Sequence, residues 1–589
     1  MKRLSLYVFY EKNGRLRDSD KYYLKGLKAV SEPAVIVNGH ISEDGLEFLN
    51  REGYSVLCRN NIGFDFAAWK EYFEKNPDAL LKYDEVILCN CSCFGPVFPL
   101  AGVFRKMEGV RCDLWGLCRH PGEEGRFPPH LQSYFLVIRS RLLRDSSFAD
   151  YFRELKSAAD WDEAVGQETH FTEYFENKGF ISASFIDGSL SEIYPDPSII
   201  LPEKLLERGF PFVKRKVFSA DYGLIQSYTD GTHIRALLDF LKNRTGYPLD
   251  LIRKDAVRSM PNSVIRNIFH LTFVVDSASV APGTRDSSSS PSVSAIVYSY
   301  YEDLIDHNLW YLASLPIDCS LYIVVVSEKM RSAWNERLRE SGRKYEVRIQ
   351  ANRGRNEAAY WLTCRDVIEK SDYICLLHDK KTPSAKPPVK GLYFNEHCWK
   401  NVLFSPQYVQ NIIALFESRP ELGILMPTVP MFAEWPDLIM NREWAGDRDA
   451  AMNIFERLGL SVTFDEHPAA PWGAMFWVRG RAMAAFYRHD WTIGDFPEEP
   501  LKDSDGTVLH ALERMYPMIA QESGFFSGWI IPSDLAGTYY DNLYARALAY
   551  RRETVKGFLE HPDSGKIHFS TVKKVLFSYI RKKLKGFIP

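Results

Sequence analysis

The sequence has no hydrophobic run of membrane-spanning length, no pair of cysteines spaced C-x2-C, and no marked excess of charge. A spanning helix needs about 20 apolar residues. The nearest stretch, Val264 to Val275, is broken by Arg266, Asn267 and His270. The opening MKRLSLYVFYEKNG starts basic, but Glu11 and Lys12 cut its apolar stretch short, so it does not read as a signal peptide. These absences predict a cytoplasmic protein. A net charge of -3 supplies no basic field for nucleic acid, which is not an expected partner. Cys89, Cys91 and Cys93 alternate along an apparent strand, which puts them on one face. With Cys112 and Cys118 they would make a thiolate metal site, yet C-x-C-x-C is a poor match to zinc spacing. Small buried residues in a reduced compartment is the preferred reading.

What is present is a long, aromatic-rich chain. Its 589 residues exceed one core, and 14% are aromatic. Aromatic residues suit sugar stacking, but they build cores as well.

The chain also repeats itself. In the first copy a strand, LSLYVFY, is followed by a helical stretch and a second strand, AVIVNG. Then come SVLCRNNIGFDFAAW and a strand-like YDEVILCNCS. The second copy runs SAIVYSYY, LYIVVVS, VRIQANRGRNEAAYW and SDYICLLHDKK. Aligned, Asn61 meets Asn352, Gly63 meets Gly354 and Asp65 meets Asn356. Ala67 and Ala68 meet Ala358 and Ala359, and Asn90-Cys91-Ser92 meets His378-Asp379-Lys380. Strands alternating with helices predict α/β units with mostly parallel sheets. Ligands of such sheets bind beyond the carboxyl ends of the strands, where both signatures fall. A Ser-, Pro- and Gly-rich stretch at 277–292 reads as a flexible linker between domains at 1–276 and 293–560.

This arrangement looks like the GT-A glycosyltransferase fold, and the sequence resembles the rhamnan synthesis protein F family more closely still. The first half carries the resemblance on RNNIGFDFAAWKEYF, CSCFGPVFPL, CDLWGLCRH, HLQSYFLVIRS and GFPFVKRKVF. The second half carries it on NRGRN, HDKK, LGILMP, PWGAMFWVRG and DGTVLHALERMYP. The resemblance implies two tandem GT-A-like domains and transfer of a sugar, often rhamnose, into a surface polysaccharide. It implies a nucleotide-sugar donor, a lipid-linked acceptor and a divalent cation, Mg2+ or Mn2+. Two departures stand out. Cys91 occupies the middle of the family's Asn-Asp-Ser, where a thiol cannot replace a carboxylate toward a hard cation. Asn356 replaces the Asp of the family's NRGRD.

Sugar transfer needs cations for the leaving diphosphate and a carboxylate base for the acceptor hydroxyl. Asp379 is the expected metal ligand, with His378, Lys380 and Lys381 on donor phosphate and Asn352, Gly354 and Asn356 in the donor loop. The two lysines also fit a solvated turn. Glu513 is the expected base and Asp505 the second choice, on a helix that Asp505 or Thr507 would cap. Glu513-Arg514 also fits a helix-surface pair. His510, Trp472 and Trp477 are expected on the acceptor side, although buried aromatics explain the tryptophans as well. In the first half, Asn61, Gly63, Asp65 and Asn90 take the donor positions and Glu168 the position of the base. His130 and Gln132 lie near the same crevice, and PFVKRKVF at 211–218 reads equally as a phosphate contact or a surface strand. At 571–589 apolar residues recur at helical spacing among six Lys or Arg and no acids. That pattern suits a membrane surface, placing the protein peripherally at the inner face, or else the protein's own core.

Overall fold

The structure, a computed structural model, describes residues 1–219, 222–280, 291–381, 386–436, 439, 444, 446–501 and 506–560. Asp505, the tail at 571–589 and most of the Ser-rich stretch lie outside them. The chain forms two compact units, Met1–Asp255 and a second that begins at Ala256.

The first unit is built on seven strands: β1 (Arg3–Phe9), β2 (Glu32–Asn38), β3 (Ser55–Arg59), β4 (Glu85–Asn90), β5 (Leu114–Gly116), β6 (Phe135–Arg139) and β7 (Ser182–Ser184). Their order is β7-β5-β6-β4-β1-β2-β3. Only β6 runs antiparallel to its neighbours β4 and β5. Strand β1 shows why the sheet is sandwiched. Tyr7 and Phe9 enter one apolar cluster with Tyr23 and Leu24. Leu4, Leu6 and Val8 enter another with Phe66 and Trp69. Burial on both faces is what a continuous apolar strand predicts for a mostly parallel sheet. Each large side chain buried this way stabilises by about 1.5–3 kcal/mol. Cys89 and Cys93 join the first cluster and Cys91 packs against it, so the alternating cysteines share one face.

The second unit repeats this plan with eight strands: β8 (Thr272–Val275), β9 (Val293–Ser299), β10 (Ser320–Val325), β11 (Tyr345–Ile349), β12 (Tyr373–His378), β13 (Leu422–Pro427), β14 (Phe476–Arg479) and β15 (Phe526–Pro532). The order β8-β15-β13-β14-β12-β9-β10-β11 matches the first sheet strand for strand, with β8 added at one edge. Again the strand beyond the strand-end signature, β14, is antiparallel.

The added strand moves the division of the chain. β8 pairs in parallel with β15, from Thr272 beside Trp529 to Val275 beside Pro532. Residues 256–276 therefore belong with the second unit rather than with 1–276. The start of the Ser-rich stretch is fastened there as well. Ser405 Oγ donates to the Ser277 carbonyl at 2.6 Å, and Asn411 donates to the Ser279 carbonyl at 2.7 Å. That stretch joins β8 to β9 inside one sheet; it does not separate the two units. Among the described residues no helix is long and apolar enough to cross a membrane.

Candidate functional site

Both units enter their sites through the same backbone turn. Gly63 precedes helix α1 (Phe64–Lys75), and Gly354 precedes the single turn α2 (Arg355–Ala358). Their φ angles are 76° and 74°, and the next residues, Phe64 and Arg355, also have positive φ at 53° and 45°. A Cβ on Gly63 would lie 2.6 Å from Ala67 Cβ; one on Gly354 would lie 2.7 Å from Ala358 Cβ. The turn therefore demands glycine, and the small residue four positions on lets the chain fold back over the helix start.

In the second unit this turn opens a cavity of about 410 Å³ at the carboxyl ends of β9 and β12. Asn352, Asn356, His378, Asp379, Lys380, Lys381, His510 and Glu513 all reach it, so most of the residues expected there come together. Among the described residues, four acidic side chains line it: Glu357, Asp379, Glu499 and Glu513. Their states differ. Glu357 is 2% exposed and accepts from Asn356 Nδ2 at 2.9 Å and Trp361 Nε1 at 3.2 Å. Burial, reinforced by the charge of Glu513, raises its pKa well above the ordinary carboxylate range and keeps it protonated. Glu499 takes a two-pronged contact from Arg355. Asp379 is saturated with donors from the end of β9: Ser299 Oγ, Tyr300 N and Tyr301 N, each at 3.0 Å. Burial still raises it to about 6 against those hydrogen bonds. Glu513 sits on helix α3 (Val508–Glu522), and its Oε1 accepts the Gly473 N–H at 2.6 Å. Among the described residues that N–H is its one hydrogen bond and no cation pairs with it.

The donor set at the strand end does not suit a divalent cation. Hard cations take several oxygen ligands. Asp379 is the one carboxylate there, its oxygens are already engaged, and the next two residues are lysines. Among the described residues no group of three metal-ligating side chains occurs. In the structure Asp379 fastens the turn after β9 to the end of β12.

Three of the expected contacts are held in packing or by backbone carbonyls. His378 is buried, with Nε2 2.7 Å from the Gly473 carbonyl and Nδ1 3.0 Å from the Asp379 carbonyl. Two carbonyl acceptors favour the charged ring, but burial, aided by Lys380, wins and brings it down to about 4. A neutral imidazole cannot neutralise phosphate; His378 anchors the Gly473 loop. Trp477 is fully buried, its Nε1 donating to the Val402 carbonyl at 3.0 Å. Trp472 packs with Val429 and Ala470, with the Arg514 guanidinium over its ring. Neither tryptophan lines the cavity, because each lies in apolar packing beside it. Arg514 pairs with buried Asp447 at 2.6 Å and not with Glu513. Thr507 takes the cap position of α3.

The residues that sequence reasoning missed are Glu357, Arg355, Glu499 and the tyrosines Tyr298, Tyr300 and Tyr301. The tyrosines end the first strand of the second copy, where a carboxyl-end rule applied to every strand would have found them.

The first unit holds the matching pieces. Asn90 Nδ2 donates to Asp65 Oδ2 at 2.6 Å, and burial raises Asp65 to about 6. Glu168, on helix Trp161–Glu176, accepts the Ser133 N–H at 2.6 Å, as Glu513 accepts that of Gly473. Asn61 is exposed in the loop ahead of Gly63. His130 and Gln132 are buried, and Lys214 of the basic stretch is paired with Asp196 at 3.3 Å.

Residues 34–525 match the rhamnan synthesis protein F family. The chain belongs to that family. One curated relative, an uncharacterized protein y4gN of Sinorhizobium fredii (strain NBRC 101917 / NGR234), is 23% identical over 186 residues, 31% of this chain and 45% of that protein. The chain thus spans less than half the length of that relative. Among solved structures, the glycosyltransferase GlyE of Streptococcus pneumoniae TIGR4 aligns with 67% of this chain and 89% of its own, at 12% identity and a TM-score of 0.21. TarS 1-349 of S. aureus aligns with 45% of this chain and 87% of its own, at 15% identity and a TM-score of 0.20. Scores this low carry no weight; the fold rests on the two matching strand orders, which give the tandem α/β, mostly parallel units expected.

Proposed function

We propose that this chain is a glycosyltransferase of cell-surface polysaccharide synthesis and that the cavity of the second unit is its active site. The observation that carries this reading is the place of Glu513: it lines the cavity from α3 and, among the described residues, is tied only by the Gly473 N–H, with no cation beside it. In the proposed reaction a nucleotide sugar lies against Asn352, Gly354 and Asn356, with its sugar toward Glu513. Glu513 takes the proton of an acceptor hydroxyl, that oxygen bonds to the anomeric carbon, and the bond from that carbon to the diphosphate oxygen breaks. The electron pair leaves with the nucleoside diphosphate. His510, one turn before Glu513 on the same helix, also lines the cavity and is assigned to the acceptor in this proposal. Rhamnose as the sugar, a lipid-linked acceptor and a peripheral place at the membrane through 571–589 belong to the same proposal.

The first unit is proposed as transferase-like, with Glu168 in the position of the base. Its strand end carries Ser92 where the second unit has Lys380, which favours a binding role for it. The test is turnover of a panel of nucleotide sugars by the purified chain. Glu513→Gln is expected to lower kcat by about 10²–10⁴-fold, the usual contribution of general-base catalysis. Unchanged turnover would remove Glu513 from the mechanism. No turnover of any donor, with glycan binding retained, would favour a scaffold protein.

A further inference from the structure

The proposed donor leaves as a nucleoside diphosphate, and its charge must be met somewhere. Lys380 has the free ammonium in the cavity. Among the described residues no carboxylate pairs with it, and its Nζ lies 5.1 Å over the Phe394 ring, partly shielded from water. Its neighbours are spoken for. Lys381 pairs with exposed Asp303 at 2.6 Å, and Arg355 is held by Glu499 at the mouth of the glycine turn. That hold leaves the Arg355 guanidinium fixed in orientation against the cavity. An unpaired ammonium in this cavity matches a diphosphate better than it matches a divalent cation, which it would repel.

Resting on the proposed donor cavity, we infer that Lys380 meets the donor diphosphate directly, without a divalent cation. As the bond to the anomeric carbon breaks, the new negative charge falls on the departing β-phosphate oxygen. Lys380 meets that oxygen with an N–H, and no metal is consumed or required. The position aligned with Lys380 in the first unit is Ser92, so this chemistry is confined to the second.

The experiment is calorimetric binding of UDP, dTDP, GDP and CDP to the full chain, in EDTA and again with Mg2+ or Mn2+. At least one nucleoside diphosphate is expected to bind in EDTA, with affinity changed less than about twofold by metal. Lys380→Ala is expected to weaken that binding by about 10- to 100-fold, the value of a charge-assisted contact to phosphate, and Lys380→Arg to retain most of it. Lys380 is partly exposed and outside the core, so the variant folds. Binding that appears only with metal overturns this inference and leaves the donor cavity standing. Equal binding by Lys380→Ala overturns it too. No binding of any of the four under either condition overturns both the inference and the donor cavity.

Discussion

The two units close the same strand end with different chemistry. In the first, the Cys91 thiol takes the Tyr10 N–H at 3.4 Å and faces the Tyr10 carbonyl at the same distance. In the second, Asp379 takes the N–H groups of Tyr300 and Tyr301. Register identifies the positions: Val8 lies beside Asn90 as Tyr298 lies beside His378. A residue that survives as thiol or as carboxylate is acting as a latch on the neighbouring strand's loop. The units differ in what surrounds it. Around Cys91, Arg215 donates to the Cys91 carbonyl at 2.7 Å and pairs with Asp255 and Asp20, while Arg17 pairs with Asp20. Those cations are spent on their own carboxylates. Beside Asp379, Lys380 is not. Capacity for chemistry follows the uncommitted charge rather than the shared motif.

The largest expected effect separates the two candidate bases. Glu513→Gln should lower kcat by about 10²–10⁴-fold, whereas Glu168→Gln should leave it within about threefold. Steady-state turnover with one donor decides. Collapse in both variants would make the first unit a second catalytic centre and erase the distinction drawn here.

Next in size is the shared turn, where the units should behave alike. Gly63→Ala and Gly354→Ala each force positive φ on a side chain and drive a Cβ into Ala67 or Ala358. Each should cost about 3 kcal/mol, read as a lower urea midpoint. A tolerated substitution in one unit only would show that its turn relaxes.

These glycines mark how much the sequence disclosed. The turn and the parallel strands were legible because they rest on local spacing, repeated. The place of β8 was not. Its four residues gain their meaning from β15, more than two hundred positions later, and the Ser-rich stretch after them imitates a domain linker. The burial of Trp477 was the commoner reading of an aromatic residue, although strand alternation by itself does not say which face is core. The protonation of Glu357 depends on Trp361 and Glu513 closing around it, which no spacing rule reports.

A smaller effect is pH dependence. Asp65 and Asp379 are both raised from 3.8 to about 6 by burial. A carboxyl with a raised folded pKa contributes stability that is full below the unfolded value and is lost as pH rises through the folded one. Each unit should therefore weaken between about pH 4 and pH 6, on the order of 2 kcal/mol per group. Asp65→Asn and Asp379→Asn should each flatten part of that slope in denaturation midpoints taken across the range. An unchanged slope in Asp379→Asn would mean that its amide donors, not burial, set its state.

The smallest effect tests the latch itself. Cys91→Asp places in the first unit the carboxylate that the second already uses. The incoming charge meets Arg17 and Arg215, which lie close enough to act on the thiol, and also Asp20, which opposes it. Arg17 and Arg215 are themselves balanced by Asp20 and Asp255, so the Tyr10 N–H is the main offset to burying the carboxylate. The net change should stay within about 2 kcal/mol. Cys91→Val keeps the bulk but leaves the Tyr10 N–H without its sulfur partner, and should cost about 1–2 kcal/mol. If the aspartate variant is the more damaged of the two, the strand end needs a thiol for its own sake, and the equivalence of Cys91 with Asp379 as a loop latch fails.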